Sequence, residues 1–406
     1  MKQLYALGCS LTCLCLWGLS SCASESSPPP LTQASNPRSE TVLLSPREVP
    51  VVANVELVTV VEGLEHPWGL AWLPNGDALI TERSGRLRLV KQGQLVPQPV
   101  AGLPEIFAQG QGGLLDVAVH PEFAQNRLIY LTYASGQREG NQTQVLRAVL
   151  DGDKLENLQV IFQAKPAKPG TQHFGSRLLW LTDGTLLVAI GDGGNPPLSL
   201  DGELIRNQAQ KLNSDLGKIH RINADGSIPP DNPFQNNPQA QPSLWSIGHR
   251  NIQGLAKDPL SGSIWSTEHG SRGGDELNLI QPGKNYGWPL VTWSEEYTGG
   301  EISPLRTKPG LIDPKLVWTP AIAPSGLVIY RGTEVPAWAG GIFAGGLVSQ
   351  DVRKIEVDQQ GQVIRQGRIP IGARVRDVRQ GPDQFLYVLT DESRTGRLIR
   401  LQPRQP

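Results

Sequence analysis

From Glu56 onward the chain repeats one short pattern: a polar turn, a brief apolar run closing on a small or hydroxyl residue, a second turn, and another apolar run. Pro74-Asn75-Gly76 leads into Ala78-Leu79-Ile80-Thr81 and then Leu87-Arg88-Leu89. Thr182-Asp183-Gly184 leads into Leu186-Leu187-Val188-Ala189-Ile190, Ser261-Gly262 into Ile264-Trp265-Ser266-Thr267, and Gly381-Pro382-Asp383 into Phe385-Leu386-Tyr387-Val388-Leu389-Thr390. Two weaker copies are His120-Pro121 with Leu128 to Thr132, and Val335-Pro336 with Ile342 to Gly345. Almost nowhere does a helical period persist. Short strands bounded by turn residues predict an all-β chain, and a long repeat predicts a propeller or a solenoid. Six units over residues 55–406 give the expected fold, a six-bladed β-propeller of four-stranded antiparallel blades. Uneven spacing fits blades with loops inserted on one face. The competing architecture, a sandwich or tandem barrels, does not account for so regular a turn–strand unit.

The first residues follow a different rule. Lys2 precedes an apolar run from Leu4 to Leu19, which reads as a signal peptide over 1–21. It ends in Leu19-Ser20-Ser21-Cys22, a lipobox with Cys22 as the acylated residue. Residues 22–54, rich in Ser and Pro, are expected to be a flexible tether, because such a segment buries too little apolar surface to offset its ordering entropy. The four cysteines are Cys9, Cys13, Cys15 and Cys22, so the body has no disulfide framework and no thiolate metal site. The expected location is outside the cytoplasm, on the periplasmic or extracellular side, with the membrane reached through lipid alone. With 37 basic and 38 acidic residues and no basic stripe, nucleic acid is excluded as a partner.

Between the repeats lie polar segments too specific for generic turns. They are Gly110 to Asp116, His173 to Leu178 followed by Gly191-Asp192-Gly193-Gly194, Gly248 to Leu255, Glu268 to Asn278 followed by Asn285 to Pro289, and Arg374 to Asp377. Read by residue type they suggest one polar pocket at the propeller axis. His173 is a candidate base, since imidazole titrates near neutral pH, and Asp192 is a carboxylate able to orient it. Arg250, Arg374 and Arg376 offer planar forks for carboxylates. Asp275 and Glu276, in a glycine-rich loop, are candidate ligands for a hard cation such as Ca²⁺. His66, His120, His220 and His249 read as structural.

The order and wording of these segments, above all Gly248 to Leu255 and Glu268 to Trp288, resemble the PQQ-dependent soluble glucose and aldose-sugar dehydrogenases from about Val60 to Leu401. The resemblance implies aldose oxidation at C1 to a lactone, with PQQ and Ca²⁺ as cofactors and a quinone or small redox carrier as electron acceptor. His173 would be the general base, Asp192 its orienting carboxylate, and Arg250 the group polarising the quinone oxygen. Gln111, Arg250, Asn251, Arg374 and Arg376 would contact the cofactor. Gly270 and Ser271 would hold the cofactor's Ca²⁺ through backbone carbonyls, and Glu276 and Tyr286, with Asp275, a structural one.

Two departures from the family pattern bear on function. Val348 stands where the family usually has Lys, leaving Arg272 or Arg353 as compensating cations. Gln172 stands where the glucose enzymes have Asp, which argues against glucose as preferred substrate. A non-catalytic propeller binding a sugar or protein partner is the alternative, favoured by Val348. A Ca²⁺-dependent lactone hydrolase is a third reading, and it would need more acid than arginine at the axis.

Overall fold

The computed structural model describes residues 42–194 and 198–404; the signal-peptide and lipobox readings, Cys22 included, lie outside the described residues. Six antiparallel four-stranded sheets follow one another along the chain. The first comprises Pro67–Trp72, Ala78–Glu82, Arg86–Lys91 and Gln94–Leu95, and the second Leu114–Val119, Leu128–Gln137, Gly140–Asp151 and Lys154–Gln163. The third is Leu178–Trp180, Leu186–Ile190, Lys218–Ile222 and Leu244–Ile247. The fourth is Ile252–Lys257, Ile264–Glu268, Asp275–Ile280 and Leu316–Trp318, and the fifth Pro324–Ile329, Ile342–Gly346, Asp351–Val357 and Val363–Pro370. In the sixth, Val375–Gln380, Leu386–Thr390 and Gly396–Pro403 are joined by the earlier strand Val55–Leu64, which pairs antiparallel with Gly396–Pro403. Beginning and end of the propeller thus share one sheet, so the ring is closed by backbone hydrogen bonds and no blade edge is left at the seam.

The innermost strands of successive blades pack side by side around a closed ring, the sixth against the first. Six apolar clusters lie between neighbouring blades, one per interface. Leu79 and Leu87 meet Leu131 and Leu146 between the first and second, and Ile80 and Val90 meet Leu389 and Leu398 across the closure. Period-2 alternation explains why the second strands are buried on both sides: each carries one row toward each neighbouring blade.

The hydroxyl residues that end several of those strands have a distinct role. Thr132 Oγ1 donates to the Ser176 carbonyl at 2.8 Å, and Thr267 Oγ1 to the Ser325 carbonyl at 2.7 Å; Thr81 Oγ1 donates likewise to the Leu115 carbonyl. Each bond runs from one blade to the entry of the next. A buried ion network closes the axis: Arg177 Nη1 lies 3.1 Å from Asp116 and 3.2 Å from Asp377, and Arg379 adds contacts to both carboxylates. At Gly326 a Cβ would fall 2.0 Å from Asp377 Oδ1, so no larger residue fits beside this network.

The segment before the first blade is engaged with the blades from residue 43 on. Leu43–Leu44 pairs parallel with Leu316–Val317, the Val52 N–H donates to the Arg368 carbonyl, and Val49 is buried.

Candidate active site

In an antiparallel hairpin the start of the inner strand and the end of the second strand lie at the same end of the blade. That geometry builds a cavity of about 330 Å³ on the propeller axis. Residues just ahead of inner strands line it, namely His66, Gln111, Phe174, Gly175, Asn251, Ala323 and Arg374. So do residues just past second strands: Arg83, His269, Leu347 and Asp391. Trp68, Leu115, Gln253 and Arg376, on the inner strands themselves, complete it.

Beside this cavity the chain folds back tightly at His173. The residue has φ 49°, and the following Gly175 has φ 63°. A Cβ on Gly191 would fall 2.2 Å from the His173 carbonyl, so a glycine is required for the third blade's second strand to approach. This approach sets Asp192 against the ring, with His173 Nδ1 2.6 Å from Asp192 Oδ1. Trp288 Nε1 donates to Asp192 Oδ2 at 2.8 Å and the Gly194 N–H to Oδ1 at 3.1 Å, which fix the carboxylate. The His173 N–H donates to Gln111 Oε1 at 2.9 Å, and Nε2 makes no hydrogen bond among the described residues.

Burial, and then the Arg250 cation, hold the His173 pKa below the ordinary histidine range against the pull of Asp192. For Asp192 burial acts to raise the pKa, but the His173 ring, Arg250 and the Trp288 hydrogen bond keep it below the usual carboxylate value. At neutral pH the pair is therefore neutral imidazole and carboxylate. The carboxylate keeps the proton on Nδ1 and leaves Nε2 as a free acceptor.

Arg250 is buried beside this pair. Its Nη1 donates to the His269 carbonyl at 3.1 Å and to the Gly270 carbonyl, and its guanidinium sits 5.3 Å from the Trp288 ring centroid. A second chain of contacts crosses the cavity wall: Gln253 Nε2 to Asn251 Oδ1, Arg376 Nη1 to Gln253 Oε1 at 3.1 Å, Arg376 Nη2 to Asp391 at 3.0 Å, and His66 Nδ1 to Asp391 at 2.8 Å. Arg374 is more exposed and donates to the Leu347 carbonyl at 3.3 Å.

The calcium candidates fall into a neighbouring place. Asp275 accepts the Gly270, Ile322 and Ala323 N–H groups at 2.7–2.8 Å, so its carboxylate organises the loop that presents the Gly270 and Ser271 carbonyls. Burial nonetheless lifts its pKa to about 6. Glu276, partly buried, stands directly across the ladder from the buried Glu268. Burial pushes Glu268 up to about 8, and burial with the Glu268 charge holds Glu276 well above the usual carboxylate value. A void of about 10 Å³, roughly the space of one water or ion, is bordered by Glu268, Glu276, Gly270 and Tyr286. The Tyr286 hydroxyl is used by the Leu279 carbonyl and the Gln281 N–H. Among the described residues no group of three or more His, Cys, Asp or Glu side chains is arranged to hold a metal ion, so a cation here would rely on backbone carbonyls as well.

Three features of the site were not read from the sequence. Arg83 and Asp391 line the cavity, and each follows a strand that carries the hydroxyl signal, Thr81 or Thr390. His66, read as structural, lines it too. Lys168 is buried behind Phe174, its Nζ 4.0 Å from the ring centroid and without a hydrogen-bond partner among the described residues. Neither Arg272 nor Arg353 lines the cavity, and Arg353 is bonded to Asp351 at 3.1 Å.

Known proteins resemble this chain over most of its length. The family model for glucose / sorbosone dehydrogenase matches residues 64–400. An uncharacterised protein of Synechocystis is 58% identical over 357 residues, covering 86% of each chain. Escherichia coli aldose sugar dehydrogenase YliI is 40% identical over 363 residues, 87% of this chain and 94% of that one. The solved structure of the PQQ-bound aldose sugar dehydrogenase from Streptomyces coelicolor superposes with a TM-score of 0.68 at 27% identity, covering 87% of this chain and all of that one.

Proposed function

Because the chain belongs to the glucose/sorbosone dehydrogenase family and is thus a sugar-oxidising oxidoreductase, we propose that it oxidises aldoses at C1 to lactones with PQQ and Ca²⁺. The observation that carries this reading is a neutral histidine–carboxylate pair beside an axial cavity walled by arginine. The donor set suits a planar polyanion: Arg83, Arg374 and Arg376 line the cavity against a single carboxylate, Asp391. PQQ, when bound, supplies an electrophilic quinone that accepts two electrons from the sugar.

The protein's own part follows from its geometry. His173 takes the anomeric hydroxyl proton on Nε2, while Asp192 holds Nδ1–H and stabilises the imidazolium that forms. Arg250, locked by the His269 and Gly270 carbonyls and by Trp288, presents fixed positive charge where negative charge develops on oxygen. Gln111 and Asn251 position the reactants from the loops ahead of two inner strands, and Arg374 and Arg376 pair with carboxylates.

Ca²⁺ takes carbonyl and carboxylate oxygens. The carbonyls of Gly270 and Ser271 would hold it at the cofactor, and Glu276 with the Tyr286 segment, helped by Asp275, would hold a second, structural ion. The small void beside Glu276 and Glu268 supports that second position. Gln172 favours an aldose other than glucose. Electrons would leave to a quinone or small redox carrier, since the sequence lacks a C-x-x-C-H haem motif. Acylation at Cys22 would anchor the exported enzyme to a membrane on the periplasmic or extracellular side.

The test is an aldose panel with an artificial electron acceptor and product analysis. The expected outcome is lactone formation that requires both PQQ and Ca²⁺. No turnover at saturating cofactor would leave a propeller used for recognition, the reading that Val348 favours.

A further inference from the structure

The axial cavity carries more positive charge than its own acids balance. Three guanidiniums line it, and its one carboxylate, Asp391, is committed to Arg376 at 3.0 Å and to His66 at 2.8 Å. Arg376 comes from the inner strand of the sixth blade and Arg374 from the position just ahead of it, whereas Arg83 comes from the turn after the first blade's second strand. Arg83 is firmly held there. Its N–H donates to the His66 carbonyl at 3.1 Å, its carbonyl accepts the Leu114 N–H at 3.3 Å, and Nη1 donates to the Gly110 carbonyl at 2.8 Å. A Cβ on Gly113 would fall 2.0 Å from the Arg83 carbonyl, so the glycine-rich loop bearing Gln111 closes directly on this arginine.

Among the described residues the one side-chain bond of Arg83, to the Gly110 carbonyl, leaves most of its fork unused. Burial and the charges of Arg376 and Arg374 all work against its protonated state, and only Asp391 favours it. Like charges crowded in a half-buried site repel by amounts that depend strongly on the local dielectric, and an anionic occupant removes that cost. Val348, at the position where the family usually has Lys, is 61% exposed and lies outside the cavity lining.

We infer that Arg83 is a carboxylate-anchoring residue of the cofactor site, completing with Arg374 and Arg376 a three-arginine clamp that holds a polycarboxylate. The inference rests on the PQQ reading above and assigns this chain's third cation to a position on another blade from Val348.

The test is titration of the full chain, with Ca²⁺ present, by PQQ and by its uncharged trimethyl ester, following tryptophan fluorescence and calorimetry. Variants are Arg83→Met and Arg83→Lys. Arg83→Met should weaken PQQ binding about 10- to 100-fold, the scale of a lost charge-assisted pair, and should flatten the salt dependence. Arg83→Lys should recover part of the loss. The trimethyl ester should bind wild type and Arg83→Met alike. The melting temperature of the cofactor-free Arg83→Met protein should not fall, because the change relieves repulsion; only the increment added by PQQ should shrink. If wild type binds PQQ and Arg83→Met binds it equally with the same salt slope, the clamp is overturned while the cofactor reading stands. If wild type binds no PQQ, both fall together.

Discussion

His173 Nδ1 lies 2.6 Å from Asp192 Oδ1, and the other oxygen of Asp192 is held by the Trp288 indole N–H at 2.8 Å. The ring is thus fixed through Nδ1, and its Nε2 makes no hydrogen bond among the described residues.

Asp192→Asn should keep the fold and lower kcat by about 10²- to 10⁴-fold, the usual worth of an oriented base. Asp192 also raises the His173 pKa against the effect of burial and Arg250. Removing its charge should therefore move the acid limb of the pH–rate profile to still lower pH. In wild type that limb should already lie below the ordinary histidine range. A pH–kcat series on both proteins checks the direction, and a limb that moves upward would contradict the assignment.

Lys168 should make stability depend on pH. Burial lowers its pKa to about 7 in the folded protein, against roughly 10.4 in an unfolded chain. The unfolded state then binds more protons between these values, so stability should rise with pH from about 7 toward 10.4. Below pH 7 the full penalty is present. Lys168→Met should remove it, raising stability at pH 7 by about 1–4 kcal/mol once the lost ammonium–Phe174 contact is set against the relieved burial. The gain should vanish by about pH 10.5. Denaturant midpoints across pH measure it.

Calcium should act at two places with different requirements. The Gly270 carbonyl already accepts the Arg250 guanidinium, so a cation there should bind well only when an anionic cofactor offsets Arg250. The void beside Glu268 and Glu276 is bordered by Arg250 as well, but there two carboxylates face the one cation. Chelation should lower the melting temperature of the cofactor-free chain, and Glu276→Gln should abolish that response. Calorimetry should show one Ca²⁺ bound without PQQ and a second with it.

The blade-to-blade threonines should stabilise without touching chemistry. Thr267→Val leaves the Ser325 carbonyl buried without its 2.7 Å donor and should cost about 1–3 kcal/mol. Affinity for PQQ should stay unchanged, as measured by denaturant unfolding alongside titration.

The blades were legible because two-residue alternation and turn residues are local signals. The closing hydroxyls, such as Thr132 and Thr267, were visible as a pattern, but their use as links to the next blade depends on radial packing that no single repeat encodes. His173, Asp192, Arg250 and Asn251 stood out because they sit in distinctive segments, and the fold brings them to one end of the blades. Arg83 and Asp391 did not stand out, since each is one ordinary charged residue after a strand. Their meaning comes from the hairpin geometry, which sends the ends of second strands to the axis from different blades. Lys168 offered no signal either; a lysine in a Pro-rich stretch reads as solvated, and only the packing of Phe174 and Gly193 encloses it.

The central claim is that His173 removes the anomeric proton as C1 is oxidised. A single-turnover experiment on PQQ- and Ca²⁺-loaded protein, using an aldose deuterated at C1, tests it most directly. The expected result is reduction of the bound cofactor with a primary isotope effect in wild type, and a loss of at least about 10²-fold in His173→Ala with PQQ affinity retained. Equal rates in the two proteins, or no isotope effect in either, would contradict it.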